Sequence, residues 1–215
     1  MKNYLSEYIG TFLLVFCGTG AIIIDGQTGG AITHLGIAIT FGLIVMVMIY
    51  SLGEISGAHI NPAVTIAFAV AGRFATKKVL PYLIAQCAGA ISASYLLFFI
   101  LPGSDNMGAT IPSGTAMQSL IFECILSFIL MLVILRVSTG AKEKGITAGM
   151  AIGSVVLLEA IFAGPVSGAS MNPARSLGPA VVAGNYTHLW IYFAGPLAGM
   201  LVATFISNIL SKDNT

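Results

Sequence analysis

Six long apolar segments, separated by short polar or glycine-rich stretches, dominate the pattern of this chain. They cover about residues 4–24, 34–53, 81–101, 116–138, 145–164 and 188–210. Each has roughly the 20 residues that an α-helix needs to cross the hydrocarbon core of a bilayer. We interpret the first segment as a span rather than a cleaved leader, because five similar segments follow it. The pattern predicts an all-α membrane protein with six transmembrane helices.

Two further apolar segments are too short to cross a membrane. They cover residues 61–70 and 172–181, and a helix of about ten residues is only ~15 Å long. Each begins with Asn-Pro-Ala, and asparagine is a favoured helix N-cap while proline is favoured at the first helical position. The sequence therefore predicts two re-entrant half-helices, which begin with the residues Asn61, Pro62 and Ala63 and the residues Asn172, Pro173 and Ala174.

The order of these segments predicts an internal repeat within a single domain covering residues 1–215. One short segment follows the second span of each half, so that the halves comprise about residues 1–110 and 111–215. Because each half has an odd number of spans, the second half is expected to be inverted in the membrane. The starts of the two half-helices would then face each other near the bilayer centre.

Basic residues predict the orientation of the chain. Eight of the nine Lys and Arg residues fall on the side that also holds both ends of the chain: Lys2, Arg73, Lys77, Lys78, Arg136, Lys142, Lys144 and Lys212. Basic loops remain on the cytoplasmic side, so both termini are expected to be cytoplasmic. The ninth basic residue, Arg175, lies within the second short segment.

Composition restricts the class of function. The chain is 57% hydrophobic and 8% charged, whereas a soluble domain has about 25% charged residues. A net charge of +1 gives no reason to expect a nucleic-acid partner. Cys17, Cys87 and Cys124 all lie in apolar segments and are expected to be buried rather than paired or bound to metal. With no evident nucleophile–base pair or metal-ligand cluster, we expect neither an enzyme nor a bound cofactor or metal.

The repeated Asn-Pro-Ala sequence has two possible interpretations. A single copy could cap an ordinary helix in a surface turn. Two copies, each within Ser-Gly-Ala-x-x-Asn-Pro-Ala and at matching places in the two halves, favour a functional pair. Irregular backbone at membrane depth is tolerated where it is buried in protein or lines a watery cavity, so the loops before both copies are expected to present carbonyl groups to such a cavity.

The two motifs, "SGAHINPAVT" (56–65) and "SGASMNPARS" (167–176), resemble those of the aquaporins, the major intrinsic protein family. The resemblance extends over essentially the whole chain, and the longer stretch "AGPVSGASMNPARSLGPA" (163–180) most resembles the plant nodulin-like branch and its bacterial relatives. It implies a bundle of six helices and two half-helices, with one pore in each subunit of a homotetramer. It also implies a plasma-membrane channel that passively conducts water or small uncharged solutes and excludes protons and ions.

The resemblance also assigns roles to individual residues. The amides of Asn61 and Asn172 would line the pore, and Glu7 and Glu123 would hold the two re-entrant loops. A selectivity filter would be formed by Phe41, Ala160, Ala169 and Arg175. For the arginine, pairing with a buried carboxylate is the alternative, since a charge at membrane depth needs a polar cavity or a partner.

Features of the sequence disagree about the preferred solute. Ala160 stands where strictly water-selective members typically have histidine, and a small residue there predicts a wider filter. This favours glycerol, urea or metalloid acids such as boric or arsenous acid. In contrast, Ser176 stands where glycerol channels carry aspartate, and Ala180 with the pair Tyr192–Phe193 is typical of water channels. A strictly water-selective aquaporin therefore remains the alternative.

Three further polar residues, Glu54, His59 and Glu159, lie near the motifs. Glu54 and His59 could line the cytoplasmic mouth, although for Glu54 an ion pair with a loop Lys or Arg is the other interpretation. Glu159 is expected to point away from the filter, because it adjoins Ala160 on a helix that turns ~100° per residue. Tyr192 is expected in the aromatic belt at the membrane interface.

Two other classes of protein fit parts of the pattern. A coupled secondary transporter also uses inverted repeats and half-helices, but coupling would need an ion-binding carboxylate beside the pore centre. A structural junction protein with a closed pore is the second. We expect water, small neutral solutes and the lipid bilayer to be the partners of this chain.

Overall fold

The structure is a computed structural model that describes residues 1–138 and 142–212. This part of the chain folds into helices joined by short loops: α1 (Lys2–Gln27), α2 (Thr33–Ser56), α3 (Pro62–Val70), α4 (Val79–Ile100, preceded by the 3-10 turn Thr76–Lys78), α5 (Ala116–Val137), α6 (Lys142–Ser167), α7 (Pro173–Ala183) and α8 (Ile191–Lys212). Within it, six helices are long and apolar enough to cross a membrane, namely α1, α2, α4, α5, α6 and α8. The predicted all-α architecture is confirmed.

Helices α3 and α7 are short. They contain 9 and 11 residues, so their lengths of ~14 Å and ~17 Å reach about half of a hydrocarbon core ~30 Å thick. Both begin at the proline of an Asn-Pro-Ala sequence, as the sequence predicts. They pack inside the bundle, α3 against α4 and α8, and α7 against α1 and α4.

Two helix pairs of the bundle, α1 with α4 and α5 with α8, are built alike. Helix α1 packs on α4 and helix α5 packs on α8, and in both pairs a glycine allows the two backbones to meet. A Cβ atom on Gly89 would overlap the carbonyl oxygen of Tyr8, and one on Gly199 would overlap that of Cys124. Small residues at such crossings let membrane helices approach closely. Tyr8 and Cys124 directly follow Glu7 and Glu123, so these crossings also place the two buried carboxylates in equivalent positions.

Helices α2 and α6 join the two halves of the chain. At their crossing, a Cβ atom on Gly42 would lie 2.7 Å from the carbonyl oxygen of Gly153, which leaves no room for a side chain. Gly42 directly follows Phe41, so this close approach determines how far Phe41 lies from α6.

Large apolar side chains cover the outside of the bundle. Phe99, Phe205 and Leu80 are 83%, 65% and 66% exposed, which would be unfavourable in water but suits the hydrocarbon core of a bilayer. Three of the basic residues used to predict the orientation, Lys142, Lys144 and Lys212, have side chains outside the described part of the structure.

Candidate functional site

A cavity of about 320 Å³ lies between the spanning helices and the two half-helices. Aliphatic side chains of α1, α2, α5 and α6 form much of its wall, and polar groups come from the two re-entrant loops and the half-helix starts. The predicted site residues that line the cavity are Phe41, His59, Asn61, Ala160, Ala169, Asn172 and Arg175.

Both half-helices are capped by the asparagine of their motif. The Asn61 side-chain oxygen accepts hydrogen bonds from the backbone N–H groups of Ala63 (2.9 Å) and Val64 (3.4 Å). The Asn172 oxygen accepts from Ala174 (3.0 Å) and Arg175 (3.4 Å) in the same way. Since the oxygen is used as the cap, each asparagine is oriented so that its NH₂ group turns away from its own helix.

The same asparagines also connect the two halves of the chain. Nδ2 of Asn61 donates to the carbonyl oxygen of Met171 at 2.8 Å, and Nδ2 of Asn172 donates to that of Ile60 at 2.9 Å. Each amide thus bonds to the residue that precedes the other asparagine. An NH₂ group has two N–H bonds, so one N–H of each amide remains available at the cavity that both asparagines line. This reciprocal bonding was not predicted from the sequence.

The loops ahead of the half-helices have an unusual backbone that repeats. Positive φ angles occur at Gly57, Ala58 and Ile60 in the first loop, with values of 89°, 46° and 43°. The second loop has them at Gly168, Ala169 and Met171, with values of 88°, 40° and 52°. A residue other than glycine in this region costs roughly 1–2 kcal/mol, so both loops need support from the surrounding structure.

Two buried carboxylates give that support. Glu7 accepts the backbone N–H groups of His59 (2.9 Å) and Ile60 (2.7 Å), and Nε2 of Gln86 donates to it at 2.8 Å. Neither Glu7 nor Glu123 has any exposed surface. Glu7 is thus bonded directly to the backbone of the first re-entrant loop.

Glu123 repeats the arrangement in the second half. It accepts the N–H groups of Ser170 at 2.9 Å and Met171 at 2.8 Å, and the Ser167 hydroxyl donates to it at 2.9 Å. The N–H and C=O of one trans peptide point in opposite directions. Peptides whose N–H faces a buried carboxylate must therefore direct their carbonyl to the other side, where the loop borders the cavity. This geometry favours the prediction that the loops present carbonyl acceptors to the cavity.

Arg175 lies 3% exposed at the first turn of α7. Its Nη1 donates to the carbonyl oxygen of Gly108 at 2.8 Å, and its guanidinium carbon lies 4.9 Å from the centre of the Phe41 ring. A carbonyl, rather than the carboxylate considered as an alternative, is thus the partner of Nη1. Ala160 and Ala169, each 8% exposed, border the same cavity with only a methyl group.

The two residues predicted for the cytoplasmic mouth are placed differently. His59 lines the cavity, its ring packs against those of Phe68 and Phe74, and its Nδ1 lies 3.1 Å from the Thr65 hydroxyl. Glu54 is exposed, and among the described residues the cavity wall includes its neighbour Gly53 but not Glu54 itself. Its side chain therefore points away from the cavity.

Glu159 is fully buried, and it is not among the described residues that line the cavity. This agrees with the prediction that it points away from the filter. Within residues 1–138 and 142–212, neither of its carboxyl oxygens has a hydrogen-bond partner. A buried carboxyl without a partner is costly, and nothing in the sequence indicated this.

The interpretation of Tyr192 as an interfacial residue is wrong. Tyr192 has no exposed surface, and its hydroxyl donates to the carbonyl oxygen of Ser167 at 2.7 Å. The hydroxyl of Tyr82, which is 1% exposed, likewise donates to the carbonyl oxygen of Ser56 at 2.9 Å. A buried phenol needs a partner, and here it holds the end of the helix that leads into each loop. The spacing of each tyrosine from the Ser-Gly-Ala serine, 26 and 25 residues, was the signal that could have identified the pair.

Comparison with known proteins agrees with this geometry. Residues 1–207 match the major intrinsic protein family profile. The chain is 47% identical to Aquaporin NIP1-3 of Oryza sativa subsp. japonica, over 97% of this chain and 73% of the relative. It is 46% identical to the putative aquaporin NIP4-1 of Arabidopsis thaliana, over 97% and 74%. The fold is similar to the X-ray structure of the aquaglyceroporin from Plasmodium falciparum, with a TM-score of 0.89 and 26% identity over 98% of this chain and 97% of the other.

Proposed function

Because this chain belongs to the major intrinsic protein family, we propose that it is a passive membrane channel for water and small uncharged solutes, glycerol among them. The observation that carries the proposal is the cavity bounded by the two cross-bonded asparagines and by Phe41, Ala160, Ala169 and Arg175. The relatives named as NIP aquaporins and the aquaglyceroporin fold support this class of function. The chain is an integral, multi-pass membrane protein.

To conduct a neutral molecule, the wall of the cavity must replace the hydrogen bonds that the molecule makes with bulk water. Carbonyl groups of the two re-entrant loops would accept from the hydroxyls of water or of a polyol. The free N–H of Asn61 and of Asn172 would donate to its oxygen, with donors and acceptors on opposite sides of the path. Aliphatic residues such as Val45 and Ile152 form the rest of the wall, and a polyol could place its carbon chain against them.

Ions and protons would be rejected by the same groups. Helix N-termini carry a partial positive charge, and α3 and α7 both begin beside the cavity. Arg175 adds a full positive charge where it borders the cavity. A water whose oxygen accepts from both asparagines has no lone pair free for a neighbouring proton, which interrupts a proton relay.

The small side chains of the proposed filter favour solutes larger than water. Two of its four members are alanines, so Phe41 faces little side-chain volume. A three-carbon polyol, urea or a trigonal hydroxyl acid such as boric or arsenous acid could lay its apolar or flat face on the ring while its hydroxyls bond to Arg175. Among the described residues that line the cavity there is no Asp or Glu, which gives a coupled transporter no ion-binding carboxylate.

We further propose that the two halves of the chain, about residues 1–110 and 111–215, form one channel domain with inverted topology. The repeated support of both loops by Glu7 and Glu123, and by Tyr82 and Tyr192, favours this. Location in the plasma membrane, cytoplasmic termini and a homotetrameric assembly are part of the same proposal. The basic residues Lys2, Arg73 and Lys77 on one side of the membrane support the cytoplasmic termini. Family resemblance supports the location and the homotetramer.

The test is uncoupled transport. Purified protein in liposomes should equilibrate radiolabelled glycerol to equal concentrations inside and outside, at a rate that exceeds that of protein-free liposomes. Imposed pH or Na⁺ gradients should not change the final level. Glycerol accumulation above the external concentration under either gradient would contradict a passive channel.

A further inference from the structure

The ring of Phe41 packs directly against the backbone of α1. A Cβ atom on Gly18 would overlap the edge of this ring, with Cδ1 of Phe41 at 2.7 Å and Cε1 and Cζ closer still. Real Cβ atoms do not approach other atoms this closely, so the ring occupies the space in which any other residue at position 18 would have its side chain. Gly18 itself is buried and does not reach the cavity.

Neither helix is free to move away from this contact. On α1, the neighbouring Thr19 lies against Gly108, where an added Cβ would be 2.8 Å from Cβ of Thr19. The crossing of α1 with α4 at Gly89 has no room for a methyl group either. On α2, Gly42 is held against Gly153 of α6. The ring, which rotates about single bonds, is therefore the part that yields.

The space available to a displaced ring is the cavity. The Phe41 ring has Gly18 at its edge, and the guanidinium carbon of Arg175 lies 4.9 Å from its centroid. The ring also lines the cavity, whose wall includes Ala160 and Ala169. A shift away from α1 carries the ring toward the path of the solute. Since two of the filter residues are alanines, the position of this ring decides how much space remains.

We propose that Gly18 is a specificity-determining residue of this channel, because the space it leaves on α1 holds the Phe41 ring back and keeps the filter wide enough for solutes larger than water. This inference rests on the proposed function. Gly18 is not itself a filter residue, because it acts through Phe41 and touches no solute. Its role is to position the ring.

The experiment compares Gly18→Ala with Gly26→Ala on the same helix, where an added Cβ meets no atom within 4 Å. Both variants replace a glycine of α1 by alanine and so add the same methyl group. Water and glycerol permeabilities are measured in liposomes and normalised to the amount of folded protein. Gly18→Ala should lower glycerol permeability about tenfold and water permeability by much less, since one methyl group in a fitted site commonly changes discrimination by this order. Gly26→Ala should match the parent in both.

A double variant separates ring displacement from a general defect. In Gly18→Ala/Phe41→Leu the shorter side chain leaves room for the methyl group, so glycerol permeability should return to at least the parent value. An unchanged ratio of glycerol to water permeability in Gly18→Ala would overturn the inference. If Gly18→Ala does not fold, the double variant decides: its folding supports the contact, and its failure to fold contradicts it.

The proposed function can fail separately. If the parent passes water but no glycerol, the proposed solute range is wrong. The contact between Gly18 and Phe41 is then tested by water permeability alone. The displaced ring should lower the water permeability of Gly18→Ala, and Gly18→Ala/Phe41→Leu should restore it. Equal water permeability of Gly18→Ala and Gly26→Ala in that case would overturn the role of Gly18.

Discussion

The guanidinium carbon of Arg175 lies 4.9 Å from the centre of the Phe41 ring, and Nη1 of the same arginine donates to the carbonyl oxygen of Gly108 at 2.8 Å. The contact fixes a positive charge against an aromatic face at the wall of the cavity. A cation over a ring is stabilised by ~0.5–2 kcal/mol, so the side chain is held in place while its other N–H groups remain for a solute. The four residues proposed as the filter thus present a charge, a ring and two methyl groups to the cavity.

Replacing this charge should weaken the barrier to ions. We expect Arg175→Val to conduct protons or small cations detectably, because the fixed charge and its donors are lost and the filter widens. The measurement is proton flux into liposomes that contain a pH-sensitive dye, under an imposed pH gradient. Lys77→Val, which removes an exposed charge away from the cavity, is the control and should remain tight. If Arg175→Val is as tight as the parent, the barrier lies mainly at the half-helix starts of Asn61 and Asn172.

Filling the space opposite Phe41 should separate solutes by size. In Ala160→His the imidazole occupies the volume that a polyol needs, so glycerol permeability should fall about tenfold or more while water permeability falls far less. Ala160→Gly, which removes a methyl group instead of adding a ring, should retain glycerol permeability. Paired water and glycerol measurements on the three proteins check this. Equal losses of water and glycerol in Ala160→His would show that residue 160 does not face the narrowest point.

The carboxylate of Glu123 should be essential for the second loop. In Glu123→Gln one oxygen becomes an NH₂ group, so either Ser170 or Met171 loses the acceptor of its backbone N–H. We expect the free energy of unfolding to fall by about 1–3 kcal/mol, the cost of a buried unsatisfied donor, with a loss of water permeability. Thermal unfolding in detergent measures this, and the exposed Glu54→Gln is the control. Equal melting temperatures for the two variants would contradict the supporting role.

Glu159 should be replaceable by an apolar residue with a gain in stability. The carboxyl is fully buried and has no hydrogen-bond partner within the described residues. In the first half of the chain the equivalent position is Met48, since Met48 precedes Ser56 by eight residues just as Glu159 precedes Ser167. Glu159→Met should therefore raise the free energy of unfolding by about 1–3 kcal/mol, the cost assigned to an uncompensated buried polar group.

The reverse substitution in the first half is the matched control for this prediction. Met48 is 6% exposed, so Met48→Glu should destabilise the protein when it is measured in the same thermal unfolding assay. A lower stability of Glu159→Met than of the parent would show that the carboxyl makes a favourable interaction that its surroundings in the structure do not reveal.

The sequence predicts the helices well because the bilayer imposes a simple rule on length and polarity. All six spans and both half-helices occur where the apolar segments and the Asn-Pro-Ala sequences placed them. The role of Asn61 and Asn172 as caps also follows from local chemistry, since asparagine before proline is a strong helix start. Family resemblance added the four filter residues, which the structure places along one cavity.

Contacts between residues that are far apart in the chain could not be predicted from the sequence. Nothing local indicates that the Asn61 amide bonds to Met171, 110 residues away, or that the Phe41 ring lies against Gly18. Tyr192 was misplaced because a tyrosine near the end of an apolar segment is as typical of an interface as of a buried hydrogen bond. That the Glu159 carboxyl has no hydrogen-bond partner within the described residues likewise depends on how α6 is packed. Each of these features arises from tertiary packing, which one-dimensional patterns do not contain.

Conduction of both water and a small neutral solute can be measured by light scattering of liposomes that contain the parent protein. After rapid mixing with hyperosmotic glycerol, we expect fast shrinkage as water leaves, followed by reswelling as glycerol enters. Both phases should be faster than in protein-free liposomes. Fast shrinkage followed by reswelling no faster than in protein-free liposomes would rule out glycerol conduction and would identify a strictly water-selective channel.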